Sequence, residues 1–142
     1  MKIAGILARK GTSVVTAPPS TSVAQFIQLL AEHRIGAVLV VSDGRTVGIV
    51  SERDVVRRLA EVGAGALDQP ISELMSTELV TCTPEDSLDD IAVLMTERRI
   101  RHLPVLADGE LTGIVTIGDV VAARLRELEQ TRAQLESYIT QG

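Results

Sequence analysis

The sequence repeats itself. GIVSERDVV begins at Gly48 and GIVTIGDVV at Gly113, and the same offset of 65 residues lays Arg34-Ile35 on Arg99-Ile100, Asp43-Gly44 on Asp108-Gly109, Pro19 on Pro84 and Thr16 on Thr81. No gap is needed from Val14 to Ala60. A chain of 142 residues built this way must make its fold from two copies of a unit of about 60 residues. One such unit buries too small a fraction of its surface to be stable alone, so two copies packed with pseudo-twofold symmetry are expected. Two related clefts between the copies would follow, each a candidate site.

Inside each unit the hydrophobic period changes in the same order. A short β-like segment, Val14-Val15-Thr16 or Leu79-Val80-Thr81, runs toward a proline. Val23, Phe26, Ile27 and Leu30, matched by Leu88, Ile91, Ala92 and Met95, fall at i, i+3, i+4, i+7 and predict a helix with one apolar stripe. Aliphatic segments follow, Ala37 to Val41 and Leu103 to Leu106, each joined through Asp-Gly to a second run, Val47 to Val50 or Leu111 to Val115. Asp-Gly between two such runs signals a hairpin. A last helix begins after Ser51 or Thr116. The unit is therefore β-α-β-β-α and the fold class α/β of the α+β kind. We expect repeats at 7–62 and 71–126, a linker at 63–70 by its Gly and Pro content, and a helical extension at 127–142.

In that extension Val121, Leu125, Leu128, Leu135 and Ile139 keep a 4,3 spacing, with Arg132 at the one seam position that is not apolar. Such a helix could lie on its own domain, bind a target, or form a two-stranded dimer seam whose register Arg132 sets.

Ser51-x-x-Asp54 and Thr116-x-x-Asp119 sit at a strand-to-helix junction in both units. As structure, each is a capping box variant, a hydroxyl and a first-turn carboxylate serving free N–H groups and the helix dipole. As a site, the same groups match a ribose and its phosphate, the carboxylate accepting from the two ribose hydroxyls. Both can hold at once.

Composition narrows the ligand. Aromatics are 1% of the chain, Phe26 and Tyr138 with no Trp, so platforms that stack bases, sugars or quaternary amines are not available. A net charge of -5 argues against nucleic acid. A single cysteine, Cys82, forms no internal disulfide and reads as a small packing residue. No apolar run approaches the roughly 20 residues that span a bilayer, and the N-terminal apolar stretch before Arg9-Lys10 is too short for a signal peptide. We expect a soluble cytoplasmic protein with no membrane partner. Cys82, His33 and His102 lack metal-ligand spacing, no Ser or Cys sits in a nucleophile motif, and the glycines match no phosphate loop, so no catalytic activity and no metal are expected.

The β-α-β-β-α repeat, the motif Gly-hydrophobic-x-Ser/Thr-x-x-Asp and the segment IRHLPV at Ile100 to Val105 resemble a tandem CBS-domain pair, or Bateman module, from about Leu7 to about Leu125. That resemblance implies a regulatory, non-catalytic module binding adenosine ligands between the repeats. AMP is foremost, with ADP, ATP, NAD or S-adenosylmethionine as alternatives. It makes Asp54 and Asp119 ribose ligands, Ser51 and Thr116 their hydroxyl partners, and sets Arg101-His102 toward the phosphates; Thr16 and Thr81 complete the candidate contacts. The residues aligned with Arg101-His102 are Gly36-Ala37, so the two sites should differ in charge. Arg53, opposite Gly118, could fork onto a phosphate or cover the helix with its stem. Arg9-Lys10, which the same offset sets against Leu74-Met75, could line one cleft. The implied assembly is a homodimer signalling to an effector protein in trans; the alternative is a dimerisation scaffold with vestigial clefts.

Overall fold

The computed structural model describes residues 1–141 and divides them into two compact units. One is Ser13–Val80; the other combines Met1–Thr12 with residues 81–141. Each unit thus contains the body of one copy of the repeat and the segment that leads into the other copy's first strand.

In Ser13–Val80 the order is β1 (Thr16–Ala17), α2 (Val23–His33), β2 (Ala37–Ser42), β3 (Arg45–Ser51) and α3 (Glu52–Val62), numbered after an N-terminal helix α1 (Ile3–Lys10) that belongs to the other unit. Strand β1 runs parallel to β2, and β2 pairs antiparallel with β3 from Ala37↔Ser51 to Ser42↔Arg45. Asp43 and Gly44 both have positive φ, 51° and 74°, as a two-residue hairpin twisted in the strands' own sense requires. The core includes Phe26, Val38, Val40, Val50, Val55 and Ile71. Residues 63–70, the expected linker, form a 3-10 turn over Gly63–Asp68 with Ala66 buried.

The second unit repeats this plan with Thr81-Cys82, α4 (Leu88–Arg98), β4 (His102–Ala107), β5 (Glu110–Thr116) and α5 (Ile117–Gln141). Here the first strand shrinks to one parallel bridge, Cys82↔Val105. Asp108 and Gly109 repeat the positive-φ turn. Helices α2 and α4 start on serine caps, Gln25 N donating to Ser22 Oγ at 3.1 Å and Asp90 N to Ser87 Oγ at 3.0 Å.

The offset of 65 does not hold at the segments that complete the units. Ile3 N donates to Asp86 O as Ile71 N does to Thr21 O, and Leu88 N to Met1 O as Val23 N to Gln69 O. Residues 1–7 therefore correspond to 69–75, an offset of 68, and Arg9-Lys10 do not match Leu74-Met75. This correspondence accounts for the glycine that opens each motif. A Cβ at Gly113 would lie 2.7 Å from Leu7 Cδ2, and one at Gly48 would lie 2.6 Å from Met75 Sδ. Each glycine is a seat for an apolar side chain.

Cys82 is 3% exposed. Burial first, and Asp86 second, raise its thiol pKa from 9.0 to about 11. The unfolded chain ionises first, so the stability carried by the neutral thiol is complete below about pH 9 and is lost between about pH 9 and 11. Thermal melts across that range should show the loss in the native chain and less of it in Cys82→Ala. Alkylation at pH 8, followed by mass, should be slow until denaturant is added.

Candidate functional site

The two strand-to-helix junctions are closed by matching backbone bonds, Glu52 N to Gly36 O and Ile117 N to Arg101 O, both 2.9 Å. These bonds dock the first turn of the helix that follows each hairpin on the residue that enters that hairpin. Each motif then sits where a helix presents free N–H groups.

At the second junction the capping box is reciprocal. Thr116 N donates to Asp119 Oδ2 at 2.9 Å, and Asp119 N donates to Thr116 Oγ1 at 3.1 Å. At the first, Asp54 Oδ2 accepts from both Ser51 N at 2.8 Å and Ser51 Oγ at 3.1 Å. The motif carboxylates are thus each anchored through one oxygen. Among the described residues Asp119 Oδ1 has no hydrogen-bond partner, and Asp54 Oδ1 reaches only Arg57 Nη1, at 4.0 Å. All four motif residues are half-buried.

The cations that approach these carboxylates differ between units. Lys10 Nζ lies 2.7 Å from Asp119 Oδ2 and donates at 2.9 Å to Ile114 O. In the first unit the corresponding carbonyl, Ile49 O, is taken by the backbone N–H of Ser76 at 2.9 Å. Lys10 therefore stands in for a main-chain donor and brings a charge with it. The sequence signal for this was weak, because the repeat offset places Lys10 opposite an apolar residue.

The remaining candidates fall into two groups. His102, half-buried, is the register partner of Thr116 across the β4–β5 hairpin, and Arg101 accepts the backbone bond from Ile117. Those two residues and the Thr116-Asp119 motif occupy one end of one hairpin. Thr16 is exposed on β1, in register with Leu39, so two strand spacings, about 10 Å, separate its strand from β3. Thr81 is likewise exposed before the Cys82 bridge. Arg53 is exposed in the first turn of α3, beside Asp54.

Two copies of one β-α-β-β-α unit, each ending its hairpin on a Gly-x-x-Ser/Thr-x-x-Asp cap, define a duplicated α+β module. The profile of the CBS domain matches residues 6–61 and again 71–126, and the chain belongs to the CBS-domain family. The CBS domain-containing protein YhcV of Bacillus subtilis is 36% identical over 114 residues, spanning 80% of this chain and 81% of its own. The crystal structure of the CBS-domain containing protein ATU1752 from Agrobacterium tumefaciens matches with a TM-score of 0.86 at 42% identity, covering 87% of this chain and 99% of that one. The CBS domain pair of protein MJ0100, in complex with 5'-methylthioadenosine and S-adenosyl-L-methionine, matches with a TM-score of 0.77 at 26% identity, over 91% and 98% of the two chains.

Removing the Thr116 hydroxyl deletes one cap acceptor and leaves Asp119 in place. Thr116→Ala should cost about 1 kcal/mol, read as a lowered denaturation midpoint with an unchanged denaturant slope.

Proposed function

We propose that this protein is a non-catalytic sensor of adenosine ligands, AMP foremost, that reports its bound state to a partner protein in trans. The observation that carries this reading is the use of the motif carboxylates: Oδ2 is committed to the helix cap, while Oδ1 has no hydrogen-bond partner at Asp119 and only a distant cation at Asp54. A carboxylate oriented by its own backbone and left with acceptor capacity suits the paired hydroxyls of a ribose. The MJ0100 pair, which binds two adenosine compounds, supports the ligand class.

The aromatic shortage then dictates how a base is held. Phe26 is fully buried, and Tyr138 lies 19 residues along α5 from Asp119, about 28 Å at helical rise. An adenine near Asp119 must rest on aliphatic side chains and backbone amides.

A ligand that binds only the folded state raises its stability, by about 2.7 kcal/mol at a hundredfold excess over Kd. AMP, ATP, NAD and S-adenosylmethionine at millimolar concentration should include at least one that raises Tm by several degrees. Asp119→Asn keeps a cap acceptor and should lose much of that rise with little change in the unliganded melt. If no adenosine compound shifts Tm, the sensor reading is lost.

The dimerisation reading rests on α5, where Val121, Leu125, Leu128, Leu135 and Ile139 are 52–74% exposed along a 4,3 seam. Arg132 in that seam is bracketed by its own helix's Glu129 at 3.8 Å and Glu136 at 3.1 Å. A stripe of coiled-coil period with its one cation already neutralised fits a second copy of the same helix. Deleting residues 127–142 should lower the mass measured by light scattering from dimer to monomer; an unchanged mass would place association elsewhere.

A further inference from the structure

The surroundings of Asp119 carry more positive charge than its cap requires. Ile6, Arg9 and Lys10 of α1 and Asp119, Ala122 and Arg126 of α5 line a hollow of about 190 Å³. A second hollow of about 340 Å³ shares Arg9 and Arg126 and continues along α5 past Glu127 to Gln130. Asp119 is held by Lys10, and Glu127 faces Arg124 at 3.0 Å and the N-terminal amine at 3.6 Å. Arg9 and Arg126 have no carboxylate within 4.0 Å among the described residues. On a chain of net charge -5, three cations are gathered around one hollow with one carboxylate among them.

The ion pairing of Asp54 is looser than that of Asp119 among the described residues. Among the described residues its ion-pair partner is Arg57, 66% exposed and 4.0 Å away, and Ser76 N–H occupies the carbonyl position that Lys10 takes in the second unit. Two forked guanidinium groups and an ammonium in a hollow of this size match the oxygens of a phosphate group. Lys10 Nζ is 2.7 Å from the carboxylate assigned to the ribose, so a phosphate borne on that ribose falls within reach of a flexible lysine.

We propose that Arg9, Lys10 and Arg126 form a phosphate site belonging to the second repeat alone. Lys10 pairs with Asp119 in the unliganded protein and transfers to the phosphate when a ligand arrives. The inference rests on the ribose reading of Asp119 for its ligand, though the anion site itself does not. Lys10 thereby makes the second motif discriminate between phosphorylated and unphosphorylated nucleosides.

Calorimetric titration of the full chain in an Asp54→Ala background, so that only the second motif is read, tests this with AMP, adenosine and inorganic pyrophosphate. Lys10→Gln should weaken AMP at least tenfold while leaving adenosine unchanged or tighter, because Asp119 no longer holds an ammonium. The double variant Arg9→Gln/Arg126→Gln should abolish pyrophosphate binding, with thermal melts verifying that both variants fold. Equal effects of Lys10→Gln on AMP and adenosine, or pyrophosphate binding that survives the double variant, would overturn the proposal. Pyrophosphate binding that needs the three cations, without any AMP or adenosine binding, would keep the anion site and defeat the nucleotide reading. AMP binding that needs Asp119 but ignores the three cations would do the reverse, and no binding of any of the three compounds would defeat both.

Discussion

Much of this structure follows from one packing contact made twice: an apolar side chain seated where a strand has no Cβ. Leu7 lies over Gly113 and Met75 over Gly48. A two- or three-stranded sheet of this size exposes apolar surface that its own helices do not fully cover, and a side chain from the opening of the other copy covers it. That seating fixes α1 on the second unit and the turn Ile71–Glu73 on the first, with Ile3 and Ile71 both fully buried. The compact units are consequently out of step with the repeats, since each is finished by residues that lead into the other copy's first strand.

The functional consequence lies at the ends of those segments. Past Leu7 the chain stays helical to Lys10, whereas past Met75 it extends and pairs Ser76 with Ile49. The same carbonyl position on the two hairpins is therefore served by a main-chain N–H in one unit and an ammonium in the other. In both motifs one carboxylate oxygen accepts from the cap residue's backbone N–H, and the two differ in their electrostatics. A helix cap and a ligand acceptor coexist because a carboxylate has two oxygens, one of which the backbone takes.

The local architecture was readable from particular residues. Asp43-Gly44 and Asp108-Gly109 announce their hairpins because both turn positions need positive φ. The stripes Val23-Phe26 and Leu88-Ile91 announce their helices through period alone, and among the described residues every fully buried large side chain is apolar. The position of Arg9-Lys10 was not readable in the same way. The offset of 65 holds through the strands and helices of each repeat and becomes 68 across the covering segments, so Lys10 aligned with a residue it does not resemble in place or role.

The sequence by itself determined the repeat, the order of strands and helices within each unit, the family and the residues of the two caps, because turn chemistry and the periods 2 and 3.6 act over a few residues. Tertiary structure alone decided which unit the first helix completes and that Lys10 meets Asp119 across 109 positions of chain. No local rule links residues so far apart. Their encounter depends on which glycine seat Leu7 fills, and only packing settles that.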